Sequence, residues 1–252
     1  MRKLVLSLLI AATTISGFAQ KTELGVQLNS GLFSFHGEKI KRTGYVFLDD
    51  NNLTIEDNQS LGGIAFGGRN GLNTGFGFNL KYIASTKLFF AAEAGLEYSK
   101  SRITLKEGYQ QNKETAKGKA NLIFTTVYLA PTIGYRLRIK NINIDLGIGV
   151  DVSRLMHSTE KIIAEAAVPE KEFSTRKEII VNNIRDISMG SNKSSWFDVR
   201  PHANLKVSYK RVGAFCGYSI GTTDYKKGLT GSSDISHVNS RLWRFGLSYQ
   251  FS

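Results

Sequence analysis

The chain has 252 residues, a formal net charge of +12, 25 glycines and only three prolines, with 15 phenylalanines and ten tyrosines. Its single cysteine, Cys216, rules out an internal disulfide framework. No apolar run of about 18 residues follows the N-terminal segment, which excludes helical membrane spans, and the glycine and aromatic content favours strands and turns.

The chain opens on Met1-Arg2-Lys3, a short positive region, followed by the uncharged apolar run LVLSLLIAATTI. Gly17 and Ala19 then place small residues at the −3 and −1 positions of a cleavage site. This predicts a signal peptide over 1–19 and one barrel domain over 20–252. No cysteine follows the apolar run, so a lipid anchor there is not expected.

After that segment, strict alternation recurs, and a strand sends alternate side chains to opposite faces. Leu24, Val26, Leu28 and Leu32 alternate with Gly25, Gln27, Asn29 and Gly31. Leu72, Phe76, Phe78, Leu80 and Tyr82 oppose Asn73, Gly75, Gly77, Asn79 and Lys81. Leu88, Phe90, Leu96 and Tyr98 oppose Glu93, Gly95, Glu97 and Ser99, with Phe89 the exception. In the fourth segment Ile123, Val127, Leu129, Ile133, Tyr135 and Leu137 face away from Thr126, Thr132, Gly134 and Arg136, while Phe124 and Tyr128 break the polarity. The fifth sets Ile142, Ile144, Leu146, Ile148, Val150 and Val152 against Asn143, Asp145, Gly147, Gly149, Asp151 and Ser153. In the sixth, Phe197, Val199, Ala203, Leu205, Val207 and Tyr209 oppose Asp198, Arg200, His202, Asn204, Lys206 and Ser208. Val212 to Ile220 forms a weaker seventh, with Phe215 on its minor face. The eighth is RLWRFGLSYQFS, in which Trp243, Phe245, Leu247, Tyr249 and Phe251 occupy every second position.

Short connections at 84–86, 138–141 and 210–211 alternate with long polar ones at roughly 37–62, 101–120, 158–194 and 223–238. An all-β, eight-stranded antiparallel up-and-down transmembrane β-barrel with short periplasmic turns and long extracellular loops has that signature. A lipocalin-like soluble barrel also alternates, with its apolar face turned inward. The glycine-rich, charged minor face and the aromatics near strand ends favour lipid outside. In the first long connection, GYVFLDDNNLTIE reads as a hairpin, and Lys177 to Val181 reads as a strand extension.

The last strand must close the barrel, because hydrocarbon tolerates no open edge. Its aromatic ending resembles the terminal strand of bacterial outer-membrane barrels, which the barrel-insertion machinery reads; Trp243, Phe245, Leu247, Tyr249 and Phe251 fit that insertion signal, and Ser252 departs from it by following the aromatic. With Phe18-Ala19-Gln20, the chain length and the glycine/aromatic strands, the whole resembles the small PorT-like outer-membrane barrels common in Bacteroidota. That resemblance implies a non-enzymatic outer-membrane protein of a Gram-negative bacterium, with secretion-system subunits among its partners.

Three groups of charges are candidate sites. Glu93, Glu97, Asp145 and Asp151 share the minor face with Arg136, Arg200, Lys206 and Arg244, and an eight-stranded lumen is narrow enough for side chains to fill, so a mutually neutralising plug is expected. Lys81, Lys87, Arg138, Lys140, Lys210 and Arg211 border the short turns as a basic periplasmic rim, suited to anionic headgroups. Lys100, Arg102, Lys106, Lys113, Lys117 and Lys119 make the third connection a basic external loop, suited to outer-membrane lipids and lipopolysaccharide phosphates.

Other chemistry finds little support. His237 and Ser240 are three apart and His157-Ser158 are adjacent, so neither pair shares a strand face as a lipid-modifying site requires. His36 and His202 stand isolated, and no metal, cofactor or nucleic-acid partner is expected. The function expected is a structural, surface-interaction or secretion/assembly role. A small porin or solute channel is the alternative, and a lipid-modifying enzyme is more remote.

Overall fold

The computed structural model describes residues 19–37, 40, 43–49, 52–55, 67–107, 115–168, 173–182, 197–225 and 238–251. The expected signal peptide lies outside them except for Ala19, as do Lys113 and His237. The strands are β1 (Ala19–His36), β2 (Thr43–Asp49), β3 (Asn52–Ile55), β4 (Arg69–Ala84), β5 (Leu88–Glu107), β6 (Thr115–Ile139), β7 (Ile142–Val168), β8 (Phe173–Asn182), β9 (Phe197–Tyr209), β10 (Val212–Ile220) and β11 (Asn239–Gln250).

Eight of them form a closed ring. Antiparallel pairing runs β1–β4–β5–β6–β7–β9–β10–β11 and returns to β1. The closing seam runs from Gly25 opposite Gln250 to His36 opposite Asn239, so the terminal strand does close the sheet.

Burial settles which face is wet. Leu28, Leu96, Leu129, Ile148 and Leu247 are each more than half exposed, whereas Glu23, Asn73, Glu97, Asp145 and Asp151 are sealed from solvent. A soluble barrel with an apolar interior has the reverse arrangement, so the lipocalin-like alternative is set aside. A continuous apolar wall of this extent requires a hydrocarbon environment. On β5 that wall runs from Leu88 to Tyr98, roughly 34 Å of strand, or roughly 26 Å of height at a tilt of about 40°.

The strands at the long-loop end correct the expected boundaries. The stretch 101–120 is not a loop throughout: β5 runs on to Glu107 and β6 starts at Thr115, paired from Arg102 opposite Asn121 to Lys106 opposite Lys117. Likewise β7 continues to Val168, and β8 pairs along it from Asn182 opposite Thr159 to Phe173 opposite Val168. The hairpin in GYVFLDDNNLTIE is β2–β3, and β2 adds to β5 in parallel.

Alternation continues beyond the wall, but its chemistry inverts. Below Tyr98 the inward positions of β5 are Glu93 and Glu97; above it they are Ile103 and Leu105, both buried, with Ala120, Leu122 and Ile162 from neighbouring strands. Outward positions change in the opposite sense, from Phe90 and Leu96 to Arg102 and Lys106. The extension is therefore an ordinary water-facing sheet with an apolar inside, standing on a membrane barrel. A reading keyed to apolar-outward residues ends each strand where this sign changes.

At the opposite end the ring strands are joined by tight turns. Lys87, Lys140 and Lys210 adopt positive φ (67°, 53° and 52°). Hairpins favour such conformations because they match strand twist. Lys87 N–H donates to the Ala84 carbonyl at 3.0 Å, closing the first turn.

Candidate functional site

The lumen is filled in layers, beginning at the short-turn end. Arg136 on β6 donates Nη1 and Nη2 to the two carboxylate oxygens of Glu23 on β1, at 2.7 and 2.9 Å. The same guanidinium donates Nε and Nη2 to Asp145 on β7, at 2.6 and 2.7 Å. Such double bidentate pairing suits the planar fork of arginine. Lys81 donates to Asp145 and lies over the Phe89 ring, 4.4 Å from its centre. Gln250 donates to Glu23 at 2.9 Å. Five ring strands thus meet at one arginine and its two carboxylates.

Lys206 lines a cavity of about 60 Å³ with Lys81, Asn79 and Asp145. It forms no ion pair among the described residues.

The middle layer is aromatic. Tyr128, 1% exposed, donates its hydroxyl to Glu93 and lies beneath the Arg244 guanidinium, 5.0 Å from the ring centre. Glycine makes room for it: a Cβ at Gly77 would come 2.5 Å from the Tyr128 hydroxyl, and one at Gly95 2.9 Å from its ring. This close approach gives the minor face of β4 and β5 a steric need for glycine.

A second ionic layer follows. Arg244 on β11 donates Nε to Glu97 at 2.6 Å and Nη1 to Asp151 at 2.7 Å, joining β5 and β7 across the lumen. Arg200 stands 3.5 Å from Glu97 and 3.7 Å from both Asp151 and Asp198. His202 lies 3.2 Å from Asp151 and 3.0 Å from Thr132, so it is not isolated as expected from sequence. Ser240 donates to Asp198 at 2.5 Å.

Above this sits an apolar cork of Phe33, Phe35, Leu122, Phe124, Val238 and Leu242. Its rings meet edge to face: Phe33–Phe35 at 5.1 Å, Phe35–Phe124 at 5.6 Å and Phe35–Tyr225 at 5.2 Å. These residues close the lumen where the ring passes into the extension.

Each candidate group now has a place. Arg136 and Asp145 belong to the lower ionic layer with Lys206 beside it, while Glu97, Asp151, Arg200 and Arg244 belong to the upper and Glu93 to the aromatic layer between them. Lys81 is buried inside rather than on the basic rim, because its position shares the inward parity of Asn79. The other rim residues, Lys87, Arg138, Lys140, Lys210 and Arg211, are exposed at the short-turn end. Trp243, Phe245, Leu247 and Tyr249 point outward from β11 and Phe251, just past its end, is likewise exposed, with Trp243 and Phe245 stacked at 6.3 Å. Lys100, Arg102, Lys106, Lys117 and Lys119 lie on strands.

Glu23 escaped the sequence reading, although it shares the parity of Gly25 and Gln27 and one more step of alternation reaches it. Phe33 and Phe35 continue that same inward series. His157 is exposed and bonded to Thr159, while Ser158 is buried, so that pair is split across the sheet. Among the described residues no group of three or more His, Cys, Asp or Glu could hold a metal ion.

No protein-family model matches the chain, and no curated protein matches it. Solved structures similar to it include Ail, the attachment invasion locus protein of Yersinia pestis, at 11% identity over 92% of this chain and 100% of that one, with a TM-score of 0.35. Neisserial surface protein A is similar at 12% identity over 92% and 100%, TM-score 0.35. OprG from Pseudomonas aeruginosa is similar at 9% over 93% and 97%, TM-score 0.43. The eight-strand ring stands on its own strand pairing, independent of these likenesses.

Proposed function

We propose that this chain is a non-enzymatic outer-membrane β-barrel that acts through its external surface and not through its lumen. The observation that carries this reading is the filling of the lumen: two ionic layers, the Tyr128 layer between them and the aromatic cork above. Cavities of about 20 and 60 Å³ remain inside, room for about one water molecule in the first and a few in the second. Ion conduction would require breaking pairs such as Arg244–Glu97 and Arg136–Glu23, whose separated charges are costly to bury. The small-porin reading therefore finds no support in the geometry. The short turns and their exposed lysines face the periplasm, and the extended β5–β6–β7 sheet faces outside.

The full chain, reconstituted in planar bilayers after a heat-sensitive gel shift has shown it folded, is expected to give no unitary conductance steps. Regular steps from the folded form would overturn the closed-lumen reading.

A second reading, docking within an export or assembly complex, accords with the PorT-like resemblance and draws on β8. Among the described residues β8 pairs with β7 alone, and the edge of such a strand is where strand addition by a partner takes place. Cross-linking in native outer membranes is expected to recover secretion subunits in fixed ratio if this holds; recovery of lipid alone removes it.

A further inference from the structure

The basic residues of the extension converge on one wall. On β5 Lys100, Arg102 and Lys106 occupy successive or near-successive outward positions, and on β6 Lys117 and Lys119 do the same. Register brings them side by side. Lys106 is directly opposite Lys117, Thr104 opposite Lys119, and Arg69 on β4 opposite Arg102. Asn121, opposite Arg102, has Lys161 of β7 on its other side. With strands about 5 Å apart and like-facing residues about 7 Å apart, neighbouring members of this set are close enough for one phosphate group to reach two or three of them.

Like charges directly opposite one another destabilise a sheet. Partial burial and the neighbouring charges of Arg102, Lys119 and Lys161 hold the Lys100 ammonium below the usual lysine range. By register the acidic residues on this face of the described strands are Glu165, opposite Lys117, and Glu178 of β8, opposite Ile163, which is itself opposite Lys119. None of Lys100, Arg102, Lys106, Lys117 and Lys119 has an ion pair among the described residues. Among the described residues these five cations make the wall predominantly basic.

Its height fixes what it meets. Tyr98 ends the lipid-facing run on β5, and the next outward residues are Lys100 and Arg102. On β6, Val127 ends the same run, and Lys119 follows four outward positions higher. Lys100 and Arg102 stand directly above the hydrocarbon boundary, at headgroup level, and Lys119, level with Thr104, stands one outward position beyond Arg102, all on the side of the barrel away from the short turns.

We propose that this wall binds the phosphate groups of lipid A in the outer leaflet, with Arg102 forming a paired hydrogen bond to one phosphate and Lys100 and Lys119 flanking it as point charges. This rests on the outer-membrane reading given above, and it assigns that external surface a ligand. The acyl chains of the same lipid lie against the apolar wall below, along Leu96, Tyr98, Val127 and Leu129.

The test uses the full chain folded in detergent micelles, titrated calorimetrically with bisphosphorylated lipid A, with fully dephosphorylated lipid A and with a soluble sulfated polysaccharide. Bisphosphorylated lipid A is expected to bind best. The Lys100→Gln/Arg102→Gln/Lys119→Gln variant is expected to lose more than about tenfold in that affinity, since each cation near an anionic surface contributes substantially. The Lys210→Gln/Arg211→Gln variant, at the other end of the barrel, is expected to bind unchanged. Equal affinity for dephosphorylated lipid A, unchanged binding by the triple variant, or tighter binding of the sulfated polysaccharide would each overturn the proposal. The heat-sensitive gel shift is recorded for every variant, so a failure of the barrel itself is seen separately. If the triple variant does not fold, Arg102→Gln alone, at an exposed position remote from the lumen layers, carries the same test.

Discussion

Arg136→Met is expected to lower the stability of the folded barrel by about 3–5 kcal/mol, the usual cost of removing one partner from a buried ionic group. Arg136 bridges Glu23 and Asp145 with four short hydrogen bonds, and both carboxylates are almost wholly buried. Methionine retains the length and most of the volume, so the loss reports the charge and its hydrogen bonds rather than a cavity. The consequence is unequal at the two acids. Among the described residues Asp145 keeps Lys81, whereas Glu23 keeps the amide of Gln250 and Lys21, whose side chain is 56% exposed. Adding Glu23→Gln to Arg136→Met is therefore expected to recover a substantial part of the loss, because the orphaned charge goes and Lys81 still neutralises Asp145. Urea midpoints of the two variants in the same micelles check this. If the double variant is less stable than the single one, Glu23 is not the source of the penalty and the lower layer does not work as described.

Phe124→Ala is expected to cost about 3–5 kcal/mol, the range for deleting a buried aromatic side chain. Phe124 is 7% exposed and its ring meets Phe33 at 6.0 Å and Phe35 at 5.6 Å, so its removal unseats the cork. The same variant is expected to remain non-conducting, because the Arg244–Glu97–Asp151 layer lies below the cork and is untouched. Loss of the gel shift at a lower temperature together with a silent bilayer is the expected pair of results. Conductance in Phe124→Ala would show that the cork alone closes the barrel. An unchanged melting temperature would mean that the cork contributes no packing.

The two variants probe closures of different physical kinds. The ionic layers draw on groups from β1, β4, β5, β6, β7, β9 and β11, and pairs such as Arg136–Glu23, Lys81–Asp145, Arg244–Glu97 and Arg244–Asp151 tie strands that are not neighbours in the ring. The cork is a small hydrophobic core of the ordinary kind, placed where the wall outside has already turned polar. The barrel thus passes from a membrane protein to a water-facing one along single continuous strands.

Much of this was legible residue by residue. Alternation has a period of two and is a local property, so the apolar run Ile142 to Val152 and its partners Asp145 and Asp151 could be assigned to opposite faces from sequence alone, as could the strand number and the short turns at 84–86, 138–141 and 210–211. The terminal run Trp243 to Phe251 showed that the last strand needed a closing neighbour. Local pattern could not give the partner of a charge: Arg136 meets Glu23 across 113 positions and Arg244 meets Glu97 across 147, and only ring closure and register set those distances. Nor could it show that 101–107 and 115–120 are strand, because the sign of the alternation reverses at Tyr98 as the surroundings change from lipid to water. Lys81 shows the same limit, read as rim by its nearness to a turn and drawn inside by parity. The sequence by itself determined the faces, since parity is fixed by covalent geometry; the tertiary structure decided the partners and the height of the membrane boundary, since both depend on how distant strands are brought together.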